Sequence, residues 1–274
     1  MNGWPETEAA APATTPWLTT TDAVATIRLN RPRQHNRIDP ADIVVLHELI
    51  ATAEADPTVR VLVLTGTGAS FSSGYDLSTA QTSARPGPSS TGAAKPDTAT
   101  DDGEVAFSRL CDRVEAIRVP TICALNGGVY GGSTDLALAC DFRIGVTGMR
   151  MRMPAAQLGI HFYPSGLRRY VSRLGLATAK RLFLTAETIG AEEMLRVGFL
   201  DRLVEPEALE GAVAELAARI AACAPQATAG IKRSLNDLAN GALDDRAGEA
   251  AFRASLRSDE FTEALKVWSQ RKPS

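Results

Sequence analysis

Two neighbouring glycines and one carboxylate stand together in the segment VYGGSTDLALACDFRIG, which runs from Val129 to Gly145. Gly131 and Gly132 follow an apolar stretch typical of a buried strand, and a glycine lets the backbone approach a ligand closely because no Cβ blocks the way. They precede a short helix, whose first amides have no partner within the helix and whose dipole is positive at that end. This pattern predicts a site that stabilises a developing oxyanion.

Asp135 lies three residues after these glycines. A carboxylate at this place could transfer a proton to or from a substrate. The alternative is that it only stabilises the first turn of the helix. We favour the catalytic interpretation.

A second glycine-centred turn occurs in FSSGYDL, from Phe71 to Leu77, directly after the apolar stretch VRVLVLTG. One backbone donor is rarely sufficient for an oxyanion, so a second loop should reach the same point. The sequence therefore predicts that the two turns converge.

The order of the motifs resembles that of the crotonase family, also called the enoyl-CoA hydratase/isomerase family, from about residue 23 onward. The segments that carry the resemblance are LNRPRQHN, LVLTGTGASFSSGYDL, VPTICALNGGVYGGSTDLALACDFRIG, RMPAAQLGI and AKRLFLTAETIGAEEMLRVGFLDRLV. The resemblance implies an α/β fold, a crotonase-like spiral of repeated ββα units with a C-terminal helical oligomerisation region. It also implies an acyl-CoA substrate, with the backbone N–H groups of Tyr75 and Gly132 forming an oxyanion hole for the thioester carbonyl.

The same resemblance implies how coenzyme A is bound as part of the substrate. Contacts with the adenine are expected from the segment 33–38, and a basic contribution is expected from the C-terminal end, often to a neighbouring subunit. A homotrimer or a dimer of trimers is expected, with no metal and no redox cofactor. The residues implied in CoA binding are Arg33, His35, Arg37, Ile38, Arg271 and Lys272.

The sequence departs from its relatives at the catalytic carboxylates. Hydratases of this family use two glutamates, because hydration needs both an activated water and a proton for the α-carbon. The first position holds Asp135, which is one methylene shorter, and the second, after Pro154, holds Ala155. Ala155 cannot move a proton, and this puts ordinary two-glutamate hydration in doubt.

The segment GIHFYPSG is a second departure, since relatives commonly have small residues there. His161 can titrate near neutral pH and Tyr163 can donate a hydrogen bond, so both are candidates to assist catalysis. The alternative is that Phe162 and Tyr163 fill volume and that His161 bonds locally. Some decarboxylases of the family have an aromatic hydroxyl in about this region, although an ungapped alignment places Phe162 there.

The reaction that we favour is isomerisation or an atypical hydration, because one carboxylate can lift and return the same proton. A CoA-thioester or β-dicarbonyl decarboxylase or hydrolase is the alternative enzyme. A non-catalytic acyl-CoA binder is the third possibility. The arginines of YPSGLRRYVSRLG, from Tyr163 to Gly175, could contact CoA phosphates, but we favour a solvated or subunit-facing surface.

The elements that must position these residues follow from hydrophobic periodicity. AVATIRLN predicts a strand, Pro40 to Ala55 predicts a helix capped by Asp39, and VRVLVLTG predicts a parallel buried strand. A helix near 105–117, a strand TICALNG, a short helix after the glycines and a strand DFRIGV follow. We expect a flexible tail over 1–18, a core over 19–205 with a mobile loop at 78–104, and a helical region over 206–274.

The bulk composition excludes several classes of protein. A net charge of -3 with no basic stripe argues against nucleic acid as a partner. No apolar run approaches the ~20 residues of a membrane-spanning helix, and the first eighteen residues do not have the pattern of a signal peptide. Four widely spaced cysteines indicate buried free thiols. These features predict a cytoplasmic protein that does not bind a membrane.

Overall fold

The predicted unit of strand, helix and strand is present in the computed structural model, which describes residues 14–78 and 103–270. Strand β2 (Val24–Leu29) is followed by helix α1 (Pro40–Ala55) and by strand β3 (Val61–Gly66), and the two strands are parallel. Asp39 caps α1 as predicted: its carboxylate accepts from the Asp42 amide, and the Asp42 carboxylate accepts from the Asp39 amide. This reciprocal capping box satisfies two amides that a helix end otherwise leaves unpaired.

Two sheets form the core. Besides β2 and β3, their strands are β1 (Trp17–Thr21), β4 (Ser70–Ser72), β5 (Thr121–Leu125), β6 (Gly128–Tyr130), β7 (Phe142–Val146), β8 (Arg150–Arg152), β9 (Thr188–Gly190) and β10 (Arg202–Val204). The first sheet has the strand order β1-β2-β3-β5-β7-β10, in which β1 is antiparallel to β2 and the other neighbours are parallel. The second sheet has the order β4-β6-β8-β9, with only β8 and β9 antiparallel.

Helices cover the first sheet, and every residue of β3 and β5 is buried. Strands buried on both faces are expected to be continuous apolar runs, as VLVL and ICAL are here. The other helices are α2 (Gly103–Ala116), α3 (Gly132–Ala139), α4 (Pro164–Leu174), α5 (Leu176–Thr185), α6 (Ala191–Arg196), α7 (Leu209–Ala221), α8 (Pro225–Ala239), α9 (Asp245–Ser255) and α10 (Asp259–Gln270). The helical region predicted after residue 205 is thus confirmed over its described part.

The first strand begins inside the segment that the sequence assigned to a flexible tail. Trp17 and Leu18 start β1, which pairs with β2, and the Arg28 guanidinium lies 5.8 Å from the Trp17 ring centroid. The prediction of a tail to residue 18 was wrong at this end because the Ala, Thr and Pro content hid the strand-forming run WLTTT. Residues 1–13 of the predicted tail and 79–102 of the predicted mobile loop lie outside the described residues.

Three of the four cysteines are buried, as the sequence predicts. Cys111, Cys123 and Cys140 are buried free thiols as predicted, but Cys223 is exposed, because it follows the end of α7. Within 14–78 and 103–270, no helix is both long enough and apolar enough to cross a bilayer.

Candidate active site

The two glycine-centred turns meet, as the sequence predicts. Gly74 has a φ of +99°, and a Cβ atom placed on it would lie 2.7 Å from the Tyr130 carbonyl oxygen and 3.2 Å from the Gly132 nitrogen. Gly131, with a φ of +54°, turns the chain into α3. Only glycine fits both requirements at Gly74, a positive φ and a neighbouring backbone at this distance.

The segment before α1 holds the first turn in place through the backbone. The Ile38 amide donates to the Gly74 carbonyl at 2.9 Å, and the Asp76 amide donates to the Ile38 carbonyl at 2.8 Å. Ser73 adds a third bond, from its amide to the His35 carbonyl, at 2.7 Å. The Gly74 carbonyl points towards Ile38, and in a trans peptide the N–H points the opposite way from the carbonyl, so the Tyr75 amide faces away from Ile38.

A cavity of about 300 Å³ opens where the turns meet. Its walls come from 73–77, from 105–108 on α2, from 130–132 and from 153–163, and both Tyr75 and Gly132 are among them. Within the described ranges, neither of their amides donates to a protein acceptor. Unpaired amides of a tight turn and of a helix N-terminus are groups that can bind an oxyanion.

Asp135 is fully buried and does not line this cavity. Its carboxylate forms a bidentate ion pair with Arg169, with Nε at 2.9 Å from Oδ1 and Nη2 at 2.7 Å from Oδ2. Asp135 lies in the first turn of α3 and its carboxylate contacts the Arg169 guanidinium on α4. It is therefore neither an unpaired base nor only a helix cap. The sequence prediction placed Asp135 among the catalytic residues, and the structure places it one layer behind the cavity wall.

Tyr163 lies between Asp135 and the cavity. Its hydroxyl donates to Oδ2 of Asp135 at 2.6 Å, while its ring forms part of the cavity wall. Burial is the main reason that the pKa of Tyr163 is raised well above its usual value, and the charge of nearby Asp135 acts in the same direction. Tyr163 is thus a neutral phenol whose proton points at Asp135.

The guanidinium behind Asp135 belongs to a charge cluster that is buried at Asp135 and Arg169 and half exposed at Asp112. Arg169 is 1% exposed and also contacts Asp112 at 2.8 Å and Glu115 at 3.2 Å, and Arg173 contacts Glu115 at 2.9 Å. Burial alone would lower the pKa of Arg169, but its bonds and charge contacts with Asp135 raise the pKa above the usual value. Three carboxylates face two guanidiniums, so the cluster carries one excess negative charge.

The sequence interpretation of a solvated or subunit-facing arginine surface was wrong for Arg169. A signal for its burial was available, because Gly166, Arg169, Tyr170 and Leu174 have helical spacing and all four are buried on one face of α4. Arg168, on the other face, is exposed as expected.

Ala155 and His161 both line the cavity. Ala155 begins a 3₁₀ turn, Ala155–Leu158, and is 5% exposed. His161 is exposed at the rim. Among the described residues that line the cavity there is no aspartate and no glutamate. The side chains there that can exchange a proton with a ligand are thus His161, the tyrosines and the hydroxyls of Ser73 and Ser108.

The residues implied in CoA binding lie next to the first turn but outside the cavity wall. Arg33 is exposed in the 3₁₀ turn Pro32–Gln34, and His35 Nδ1 lies 3.0 Å from the Ser70 hydroxyl oxygen. Arg37 Nη2 lies 3.2 Å from Asp76 Oδ2, and Ile38 is buried beside Tyr75. The C-terminal pair, Arg271 and Lys272, lies outside the described residues.

Comparison with known proteins identifies the family to which this chain belongs. The family model described as enoyl-CoA hydratase/isomerase matches residues 19–273. The short-chain-enoyl-CoA hydratase of Clostridium acetobutylicum is 30% identical over 217 residues, which are 78% of this chain and 77% of that protein. The (E)-benzylidenesuccinyl-CoA hydratase of Thauera aromatica is 33% identical over 218 residues, 79% of this chain and 80% of that protein.

Solved structures agree with the sequence comparisons. The crystal structure of an enoyl-CoA hydratase/isomerase family protein from Hyphomonas neptunium superposes with a TM-score of 0.83 at 25% identity, covering 94% of this chain and 96% of the other. The crotonase-like α/β fold predicted from the motifs is thereby confirmed. The chain belongs to the enoyl-CoA hydratase/isomerase family and is an acyl-CoA-processing enzyme of that family.

Proposed function

We propose that this enzyme moves a single proton on an acyl-CoA enolate, as isomerisation or an atypical hydration requires, and that Tyr163 carries the proton with Asp135 behind it. The amides of Tyr75 and Gly132 would bind the thioester oxygen and stabilise the enolate. The 2.6 Å hydrogen bond from the Tyr163 hydroxyl to Asp135 is the observation on which the proposal rests.

The direction of that bond defines the role of the tyrosine. Because the phenolic proton is given to Asp135, the lone pairs of Tyr163 Oη are free to accept a proton from a ligand in the cavity. When a substrate C–H bond breaks, its electrons pass to the enolate and its proton to Oη, while the phenolic proton moves to Oδ2 of Asp135. The reverse transfer to another carbon of the acyl chain restores both groups and shifts the double bond.

The raised pKa of Tyr163 supports this coupled transfer. A phenolate at this position is unfavourable because of burial and the charge of Asp135, so the tyrosine neither gives up its proton without replacement nor stores a negative charge. The bidentate contact with Arg169 holds the Asp135 carboxylate in place, so that Oδ2 faces the Tyr163 hydroxyl.

Conventional hydration is less well supported. It would need a second proton-transfer group, and Ala155 stands where the resemblance places the family's second carboxylate. His161 at the cavity rim is the candidate for that group, so an atypical hydration would use Tyr163 and His161 together. Two relatives are a short-chain-enoyl-CoA hydratase and an (E)-benzylidenesuccinyl-CoA hydratase, and they support an α,β-unsaturated thioester as the substrate class.

Decarboxylation of a β-carboxyacyl-CoA is the second candidate. The observation in its favour is the lack of aspartate and glutamate among the described cavity residues, since a departing carboxylate needs an apolar site and the reaction needs no base. The direction of the Tyr163 hydrogen bond is unfavourable for it, because a substrate carboxylate would need that proton itself.

Deuterium uptake from D₂O separates these reactions. Paired 2-enoyl-CoA and 3-enoyl-CoA substrates would be incubated with enzyme, and label and double-bond position would be read by mass spectrometry, alongside malonyl-CoA consumption. We expect Tyr163→Phe to reduce label uptake by about 10²–10⁴-fold. Tyr170→Phe is the matched control, since its buried hydroxyl lies 2.5 Å from Thr134 Oγ1 and outside the cavity wall.

Three outcomes of this experiment would contradict the proposed relay or identify another activity. Full label uptake by Tyr163→Phe would overturn the relay. Turnover of malonyl-CoA alone would identify a decarboxylase. Binding of CoA esters without turnover of any would identify a non-catalytic binder.

We further propose that coenzyme A enters as part of the substrate, held by the segment 33–38, and that the chain forms a homotrimer or a dimer of trimers. Large apolar side chains are exposed along α8 and α10, such as Leu238 at 61% and Trp268 at 74%. An apolar surface of this kind is typical of a subunit contact. Light scattering should give three or six copies of the 29.1 kDa chain.

A further inference from the structure

Aromatic rings are concentrated around the cavity. Only 5% of the chain is aromatic, yet three of its four tyrosines line this one cavity, together with two phenylalanines. The five rings belong to Tyr75, Phe107, Tyr130, Phe162 and Tyr163. The fourth tyrosine, Tyr170, packs its ring against Phe162 from behind, with centroids 6.4 Å apart.

Four of the five rings form two pairs at the reacting end of the cavity. Tyr75 and Phe107 have centroids 5.7 Å apart and are tilted by 44°. Phe162 and Tyr163 are stacked, with centroids 4.2 Å apart. These are separations at which aromatic rings attract one another beyond the area that they bury.

Both pairs adjoin the groups that would act on the substrate. A Cβ atom placed on Gly132 would lie 2.8 Å from Cε1 of Phe107, so the first pair borders the proposed oxyanion hole. The second pair includes Tyr163, the proposed proton carrier. An acyl group whose thioester is held at Gly132 therefore has aromatic walls at its first few carbons.

We propose that the enzyme is selective for acyl-CoA esters that carry an aromatic ring close to the thioester, of the 3-arylacryloyl or 3-arylpropanoyl type. This inference rests on the proposed function, since it takes the acyl group to lie between Gly132 and Tyr163. A flat ring makes stacked and edge contacts with two aromatic walls, whereas an alkyl chain or a puckered ring gains only burial. Tyrosine edges also offer hydroxyl groups, but the selectivity follows from the ring faces alone.

The test compares 3-phenylpropanoyl-CoA with 3-cyclohexylpropanoyl-CoA by calorimetry. The two esters have the same carbon skeleton, neither has a double bond to hydrate or shift, and the cyclohexyl ester is the more hydrophobic. We expect the phenyl ester to bind about tenfold more tightly, because each aromatic pair contributes about 0.5–1.5 kcal/mol beyond burial and about 1.4 kcal/mol corresponds to tenfold. Equal binding, or tighter binding of the cyclohexyl ester, overturns the proposal.

Two variants test whether the aromatic rings cause the selectivity. Phe107→Leu and Phe162→Leu keep an apolar side chain and remove the aromatic face, so each should reduce the phenyl preference to about threefold or less. Phe199→Leu is the control, because Phe199 is fully buried outside the cavity wall and its loss should affect stability but not the preference. An unchanged preference in both cavity variants overturns the assignment.

The design keeps this inference separate from the proposed function. If neither cavity variant folds, the wild-type comparison of the two esters still decides. If the wild type prefers the phenyl ester but exchanges no proton on any acyl-CoA, the aromatic selectivity stands and the proton relay fails.

Discussion

The Tyr163 hydroxyl donates to the Asp135 carboxylate across 2.6 Å, and Arg169 holds the other side of the same carboxylate. Asp135 does not line the cavity, whereas Tyr163 does, so under the proposed function the carboxylate would act on a ligand only through the tyrosine. The phenol would then meet the substrate, with the charged groups behind it.

The ion pair between Asp135 and Arg169 should show strong coupling in a double-mutant cycle. Asp135→Asn and Arg169→Gln each leave one buried charge without its main partner, so each should cost about 3–5 kcal/mol of unfolding free energy. The double variant should cost less than the sum by about 1–3 kcal/mol, measured by urea unfolding. Additive costs would mean that the pair is not coupled.

Because the pKa values of Tyr163 and Tyr170 are raised, both phenols should ionise only at a higher pH than an unfolded tyrosine. Both groups keep their protons in the folded state, whereas an unfolded tyrosine ionises near pH ~10. Their contribution to stability is therefore complete below pH ~10 and is lost as the pH rises towards their folded pKa values. A titration followed by ultraviolet absorbance should show two phenols that ionise at unusually high pH. Tyr163→Phe should remove one of these transitions and Tyr170→Phe the other. A wild type in which all four tyrosines ionise together near pH ~10 would contradict this.

The converging turns could be predicted from sequence because their glycines, strands and order are local signals. Gly74 and Gly132 meet as expected, and α1 begins at the predicted cap, Asp39. The partner of Asp135 could not be read in the same way. Arg169 is 34 residues away, and an arginine on a helix is more often solvated than buried, so only its spacing with Gly166 and Tyr170 indicated burial.

The aromatic walls were predicted only in part: the segment GIHFYPSG indicated Phe162 and Tyr163, but Phe107 was missed, for a related reason. Phe107 lies on α2 and Tyr75 on the first turn, and only the packing of α2 against α3 brings their rings to 5.7 Å. Periodicity places Phe107 on a buried face but does not tell whether that face borders a cavity or a solid core. The candidate site was thus predictable as a backbone arrangement and less so as a set of side chains.

Introducing a carboxylate at position 155 should increase hydration. Ala155→Glu would direct an acidic side chain into the cavity, where it could activate a water opposite the oxyanion hole, and we expect hydration of an enoyl-CoA to rise by about tenfold or more. Ala156→Glu is the control, because the neighbouring Ala156 is exposed and its new carboxylate would face solvent. A similar hydration rate in both variants would show that position 155 does not control the reaction.

The backbone of the proposed oxyanion hole can be tested with two glycines that share a positive φ. Gly74 (+99°) is in contact with Tyr130 and Gly132, whereas nothing lies within 4 Å of a Cβ atom placed on Gly148 (+77°). Both alanine variants carry a left-handed backbone cost of about 1–2 kcal/mol. Only Gly74→Ala also pushes the two turns apart, so its kcat should fall by about 10²–10³-fold while Gly148→Ala keeps full activity. Urea unfolding measures the stability cost of each variant, which should be larger for Gly74→Ala because its Cβ also meets the Tyr130 carbonyl oxygen, and steady-state kinetics measures the activity. Equal activity in the two variants would mean that the converging amides do not stabilise the transition state.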